Sequence, residues 1–136
     1  MIYLRSFIAG FLSTLIFHQG LLALLNVMSI APRLAYNMNP TEPFGIPSVI
    51  SAALFGGLWG MVIWKFIEKY QGRSQIIRAV ILMAVSPTLV AFAVVQPLKG
   101  AEFKAIYIPF GLLLNGALGL GLWIFMQFNF SKKVTQ

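Results

Sequence analysis

Apolar residues dominate four stretches of the chain, at about 6–28, 46–67, 76–96 and 107–129, and polar residues collect between them. Each stretch has the roughly 20 residues that a helix needs to cross a bilayer core of about 30 Å. Charges inside them are confined to a terminal turn, at Lys65 and Arg78. A soluble bundle needs a polar face on each helix, whereas these stretches are apolar nearly all round. The pattern predicts an all-α protein, a single transmembrane domain over residues 1–136 built as a four-helix bundle.

Within that pattern, small residues recur at helical spacing. Ser48, Ala52, Gly56 and Gly60 fall every fourth residue. On a helix they form a smooth ridge where a second backbone can approach closely, so the second stretch is expected to be the packing spine. The first stretch carries a matching stripe of Ser6, Gly10, Thr14 and His18, expected to face that ridge. In the fourth, Gly111, Asn115 and Gly119 define a further packing face, beside a second small pair of Ala117 and Gly121.

The connections are marked by breakers. Pro32, Pro40 and Pro43 forbid a continuous helix through 29–45, which is the main external loop, with Tyr36 and Phe44 expected at headgroup level. Pro47 suits the first turn of the second helix. Gln71-Gly72-Arg73-Ser74 is a short turn that predicts helices two and three as antiparallel neighbours. Pro87 removes the amide partner of the Met83 carbonyl, so the third helix is expected to bend there, with Ser86 or Thr88 bonding the freed carbonyls.

Composition sharpens the orientation. The chain has 136 residues, 59% hydrophobic and 10% charged, with a net charge of +7. The basic residues sit at helix ends and not in a groove interleaved with aromatics, so no nucleic-acid partner is expected. Arg5, Lys65, Lys69, Arg73, Arg78, Lys132 and Lys133 fall at one end of the bundle, and Arg33, Lys99 and Lys104 at the other. Seven against three places both termini in the cytoplasm. The apolar run after Arg5 is longer than the roughly 7–15 residues of a signal-peptide core and reads as a retained helix. The absence of Cys excludes thiolate chemistry and disulfides.

The halves also share ordered matches. Arg5 and Ser13 have the spacing of Arg78 and Ser86, and Ile46-Pro47 with Gly57-Leu58 matches Ile108-Pro109 with Gly119-Leu120. A parallel two-helix duplication and chance likeness between apolar segments both account for this.

His18 is the sharpest candidate for chemistry, as the only histidine and an ionisable group at bilayer depth. It is a weak cofactor candidate: no second His, Cys or buried carboxylate completes a metal set, and no metal or cofactor is expected. A neutral imidazole bonded to a polar side chain on a neighbouring helix is the favoured reading. His18, Gln19, Ser86, Thr88 and Asn115 either line a polar path between helices or act as interhelical glue at about 0.6–2 kcal/mol per bond, with glue favoured. No catalytic residue is assigned, since Glu42, Glu68 and Glu102 lie in loops or at helix ends.

Phe7-Ile8-Ala9-Gly10-Phe11 with Phe17-His18-Gln19, Pro43-Phe44-Gly45-Ile46-Pro47, and Gly56-Gly57-Leu58-Trp59-Gly60 resemble uncharacterised small four-helix inner-membrane proteins of proteobacteria. The resemblance spans helices one and two. It implies a multi-pass protein of the bacterial inner membrane and supplies no activity. Small multidrug exporters are similar in size but carry an embedded Glu on helix one, which this chain lacks. Fluoride channels of similar length insert both ways, unlike a chain with this charge bias.

The surplus of small-residue faces favours a non-enzymatic subunit that assembles with itself or stabilises a larger membrane complex, with lipids as its other partners. The alternatives are a small channel or carrier with a path near His18 and Asn115, and a cofactor-binding membrane subunit using His18.

Overall fold

The computed structural model describes residues 1–31 and 33–128. It is all-helical, with four helices: α1 (Ile2–Val27), α2 (Ser48–Ile67), α3 (Gly72–Leu98) and α4 (Ala105–Phe128). Each is long and apolar enough to cross a membrane. The expected end of the last helix at Asn129, and Lys132 and Lys133 beyond it, lie outside the described residues.

The helix starts differ from expectation for local reasons. α1 begins at Ile2 because nothing in Ile2-Tyr3-Leu4 opposes helix. α2 begins at Ser48 because Pro47 and Ile46 are extended: β1 (Pro40–Thr41) pairs antiparallel with β2 (Ile46–Pro47) in a two-residue ladder. Gly72 starts α3 at φ +59°, a left-handed turn conformation that costs glycine little.

Two helices contain a π-turn in the half away from the α2–α3 turn, and α4 opens with a 3-10 turn at Ala105–Tyr107. α1 contains a π-turn at Thr14–His18 and α3 another at Ala91–Val95. α3 runs as α-helix through Pro87 to Val90, so its irregularity comes a turn later than the proline predicts. Thr88 is the residue that bonds backward, its Oγ1 donating to the Ala84 carbonyl at 2.6 Å.

α1 packs extensively on α2 and α4, and α3 on α4, while α2 and α3 touch sparingly. The helices joined by the short turn are thus neighbours near that turn, but not the main packing pair. The turn joins the two helices at one end, where Ile63, Trp64 and Ile67 of α2 share a buried cluster with Ala9, Ala79, Met83, Leu118, Leu122 and Met126. At the opposite end the buried cluster is Leu22, Leu25 and Leu114, backed by Phe110 and Ala35, with nothing from α2 or α3. The bundle is closed at one end by all four helices and open between α2 and α3 at the other.

Glycine seams set the close contacts. A Cβ on Gly10 would overlap the Gly56 carbonyl oxygen, and one on Gly60 would stand 2.5 Å from the Ser6 oxygen and 3.1 Å from Gly10 Cα. Across α3 and α4, a Cβ on Gly119 would meet the Ala79 oxygen and lie 2.8 Å from Met83 Cβ. Gly121 faces Ser13 and Phe17 of α1, and Ser13 Oγ donates to the Leu118 carbonyl at 2.7 Å.

The loop after α1 folds back onto it. Asn26 holds two loop groups, donating to the Arg33 carbonyl at 2.7 Å and accepting from the Ala35 amide at 2.8 Å. Tyr36 donates its hydroxyl to the Leu15 carbonyl, inside the π-turn, at 2.7 Å. The ring expected at headgroup level therefore pins the loop to α1.

Candidate functional site: a cleft between α2 and α3

Because α2 and α3 diverge from their turn, they leave a cleft of about 700 Å³ between them, with α4 as the third wall. This lies within the roughly 300–1,000 Å³ of small-molecule sites. Phe55, Leu58, Trp59 and Val62 of α2 face Val90, Phe92 and Val95 of α3, and Leu114 and Leu118 of α4 complete the apolar lining. Thr14 and His18, at the two ends of the α1 π-turn, also line it. π-turns recur at functional sites because the extra residue re-aims side chains.

The polar residues named from sequence divide. His18, Thr88 and Asn115 line the cleft, whereas Gln19 and Ser86 do not. Asn115 Nδ2 donates to Thr88 Oγ1 at 2.9 Å and so ties α4 to α3, while that hydroxyl donates in turn to the Ala84 carbonyl of its own helix. Gln19 acts on the loop: its Oε1 accepts the Tyr36 amide at 2.8 Å. The ridge residues divide too. Gly56 and Gly60 meet α1, while Ser48 and Ala52 line the cleft, because crossing helices stay in contact for only a turn or two about the crossing point. In α4, Gly111 lies with its Cα hydrogens toward Thr88, where a Cβ would be 3.1 Å from Cγ2, and also edges the cleft.

The loop fixes the His18 tautomer. A backbone N–H can only donate, so the atom of Gln19 that receives the Tyr36 amide is its oxygen, and its Nε2 is the atom 3.3 Å from His18 Nδ1. Nε2 of an amide is a donor, so Nδ1 accepts and the imidazole proton sits on Nε2. His18 is 6% exposed, and its ring presents one free N–H donor.

Sequence patterning missed the charged part of the site. Arg33, in the loop, and Lys99, past the end of α3, line the cleft together with Gln96 and Tyr107. Arg33 is exposed at the edge of the cleft, yet the protein around it lowers its pKa from the ordinary arginine value by desolvation; an arginine is cationic at neutral pH. Gln96 has a buried Oε1 without a hydrogen-bond partner among the described residues. No acid lines this cleft: Glu42 edges an adjoining groove of about 310 Å³, Glu68 pairs with Lys65 at 3.8 Å, and Glu102 is exposed in the α3–α4 loop. The missed signal was positional, since Arg33 sits next to Pro32 in a loop that must return to helix one's outer half. Among the described residues no three His, Cys, Asp or Glu side chains gather, which leaves His18 as the single imidazole available to a metal or cofactor.

The site therefore belongs to a class of all-helical proteins with apolar, membrane-length helices and a lateral cleft. No family model, curated protein or solved structure matches the chain.

Proposed function

We propose that the protein is an integral membrane carrier of the bacterial inner membrane, with both termini cytoplasmic, whose substrate enters the cleft between α2 and α3. The observation that carries this reading is the cleft itself, with apolar walls and His18, Thr88 and Asn115 among its polar groups. Large apolar side chains on the outer faces, among them Ile8, Ile16, Phe66, Ile81 and Leu89, are exposed and suit contact with acyl chains. Seven basic residues at the end of the termini against three at the other support the orientation.

The rival reading, a self-assembling subunit, drew its strength from a surplus of small-residue faces. Gly10, Gly56 and Gly60 are used between α1 and α2, Gly119 between α3 and α4, and Gly121 between α1 and α4. These glycines are used inside the bundle and so lend assembly no separate support. The pairing of α1 with α2 and α3 with α4, with a π-turn in the first helix of each pair, is what a parallel duplication would produce.

Transport in liposomes tests the proposal. A fluorescent single-chain amphiphile is expected to cross between leaflets faster with the reconstituted protein than without it. Ala52→Trp, which fills the cleft from α2, is expected to bring the rate to that of empty liposomes. Equal rates with and without protein would overturn the carrier reading. A native mass of dimers or larger species in mild detergent would favour assembly instead.

A further inference from the structure

We infer that the cleft accepts a single-chain amphiphile with an anionic head, a carboxylate or a phosphate ester, whose head meets Arg33 and His18 while its chain lies between α2 and α3. This rests on the cleft being a binding site, and it adds the chemical class of the ligand. Three observations converge on it.

The first is charge. Arg33 and Lys99 are the charged side chains lining the cleft, both are cationic, and neither has an ionic partner among the described residues. An exposed guanidinium at the edge of an apolar cleft, without a counter-ion among the described residues, favours an anion, and its planar fork fits the paired oxygens of a carboxylate or phosphate.

The second is hydrogen bonding. The Tyr36 amide orients Gln19, Gln19 sets the His18 tautomer, and the remaining Nε2–H is a donor on a cleft-lining residue that is otherwise buried. Arg33 and Tyr36 come from the same loop, tied down by Asn26 on one side and by Gln19 on the other. The Arg33 backbone and the His18 ring are thus held by one loop–helix network, and both residues line the cleft. An oxyanion within reach of both would accept from each, whereas a cationic head would be repelled.

The third is the shape of what remains. Phe55, Leu58, Trp59, Phe92 and Leu118 offer no hydrogen-bonding group to a polar solute except the Trp59 indole, so a free anion such as phosphate would leave most of the lining unused.

Trp59 makes the test direct. The full chain is placed in nanodiscs of zwitterionic lipid and titrated with a brominated octadecanoate, a heavy-atom quencher of indole. The acid is expected to quench tryptophan fluorescence saturably, and Trp59→Phe to remove that component while Trp64 and Trp123 remain. Arg33→Gln is expected to weaken binding at least tenfold, with an unchanged circular dichroism spectrum. The brominated methyl ester is expected to bind at least tenfold more weakly than the acid, and a single-chain alkyl phosphate to displace the acid. Ester binding equal to acid, or Arg33→Gln equal to the parent, would overturn the anionic head and leave the cleft as a site. Displacement of the acid by inorganic phosphate alone would overturn the amphiphile in favour of a free anion. Quenching of Trp59 by neither acid nor ester would overturn the cleft as a binding site.

Discussion

A methyl group is tolerated at some glycines of this chain and not at others, and neighbouring backbone decides which. At Gly10 an added Cβ would overlap the Gly56 carbonyl, and backbone facing backbone cannot turn aside as a side chain can. Gly20, in the same helix, has nothing within 4 Å of an added Cβ. Gly10→Ala is therefore expected to destabilise the fold by about 1–3 kcal/mol, the usual cost of overpacking, more if α1 and α2 separate. Gly20→Ala is expected to be neutral or to add up to about 1 kcal/mol through lost freedom of the unfolded chain. Reversible unfolding in mixed detergent micelles distinguishes them, and equal stabilities would show that close approach at Gly10 does not hold α1 to α2. This contrast was legible in the sequence, because Gly10 shares a four-residue period with Ser6, Thr14 and His18 and Gly20 does not. Period could not tell Ala52 from Gly56. Both lie on one stripe of α2 and both edge the cleft, and only the crossing point with α1 decides that Gly56 also packs against Gly10 and Thr14.

Helices were legible where composition alone makes them, and their partners were not. Twenty apolar residues between prolines, glycines and polar runs announce a span, whatever surrounds it. Which spans pack most closely depends on seams at several helix faces together, and the short turn after Ile67 marks α2 and α3 as neighbours without showing that they part beyond it. The cleft arises from that missing contact, so no local pattern encodes it. Arg33 and Lys99 read in the sequence only as topology signals, because nothing local shows that the fold sets these loop cations at the edge of a cleft. The tight pair α3–α4 carries a polar clasp, Asn115 to Thr88 to Ala84. Asn115→Leu and Thr88→Val, measured singly and together, are expected to couple by about 0.6–1.7 kcal/mol, the range for interhelical hydrogen bonds in membranes. A coupling near zero would mean that each side chain is held by its own helix and that the clasp contributes nothing to pairing.

At the scale of the whole molecule, charge and cleft divide the bundle in the same direction. The closed end carries the α2–α3 turn, where Arg78 stacks 3.9 Å from the Tyr70 ring centroid and Lys69 lies 5.4 Å from it, and most of the basic residues. The open end carries the cleft mouth with Arg33 and Lys99. In the proposed orientation each cation there weakens the bias that would keep the other end in the cytoplasm. Replacing Lys69, Arg73 and Arg78 with glutamine leaves four basic residues in the set that the sequence assigns to the cytoplasm, Arg5, Lys65, Lys132 and Lys133, against three in the other. The substituted chain is expected to insert in both orientations, which a reporter fused after Gln136 would register as signal on both faces of the membrane. Lys99→Gln with Lys104→Gln, added to those three, leaves four against one and is expected to restore a single orientation. Arg33 is kept in both variants, so its place at the cleft is not at issue in the readout. If the reporter stayed wholly cytoplasmic in the first variant, the orientation would be set by the apolar lengths or the loop fold, and the cationic mouth would carry no topological cost.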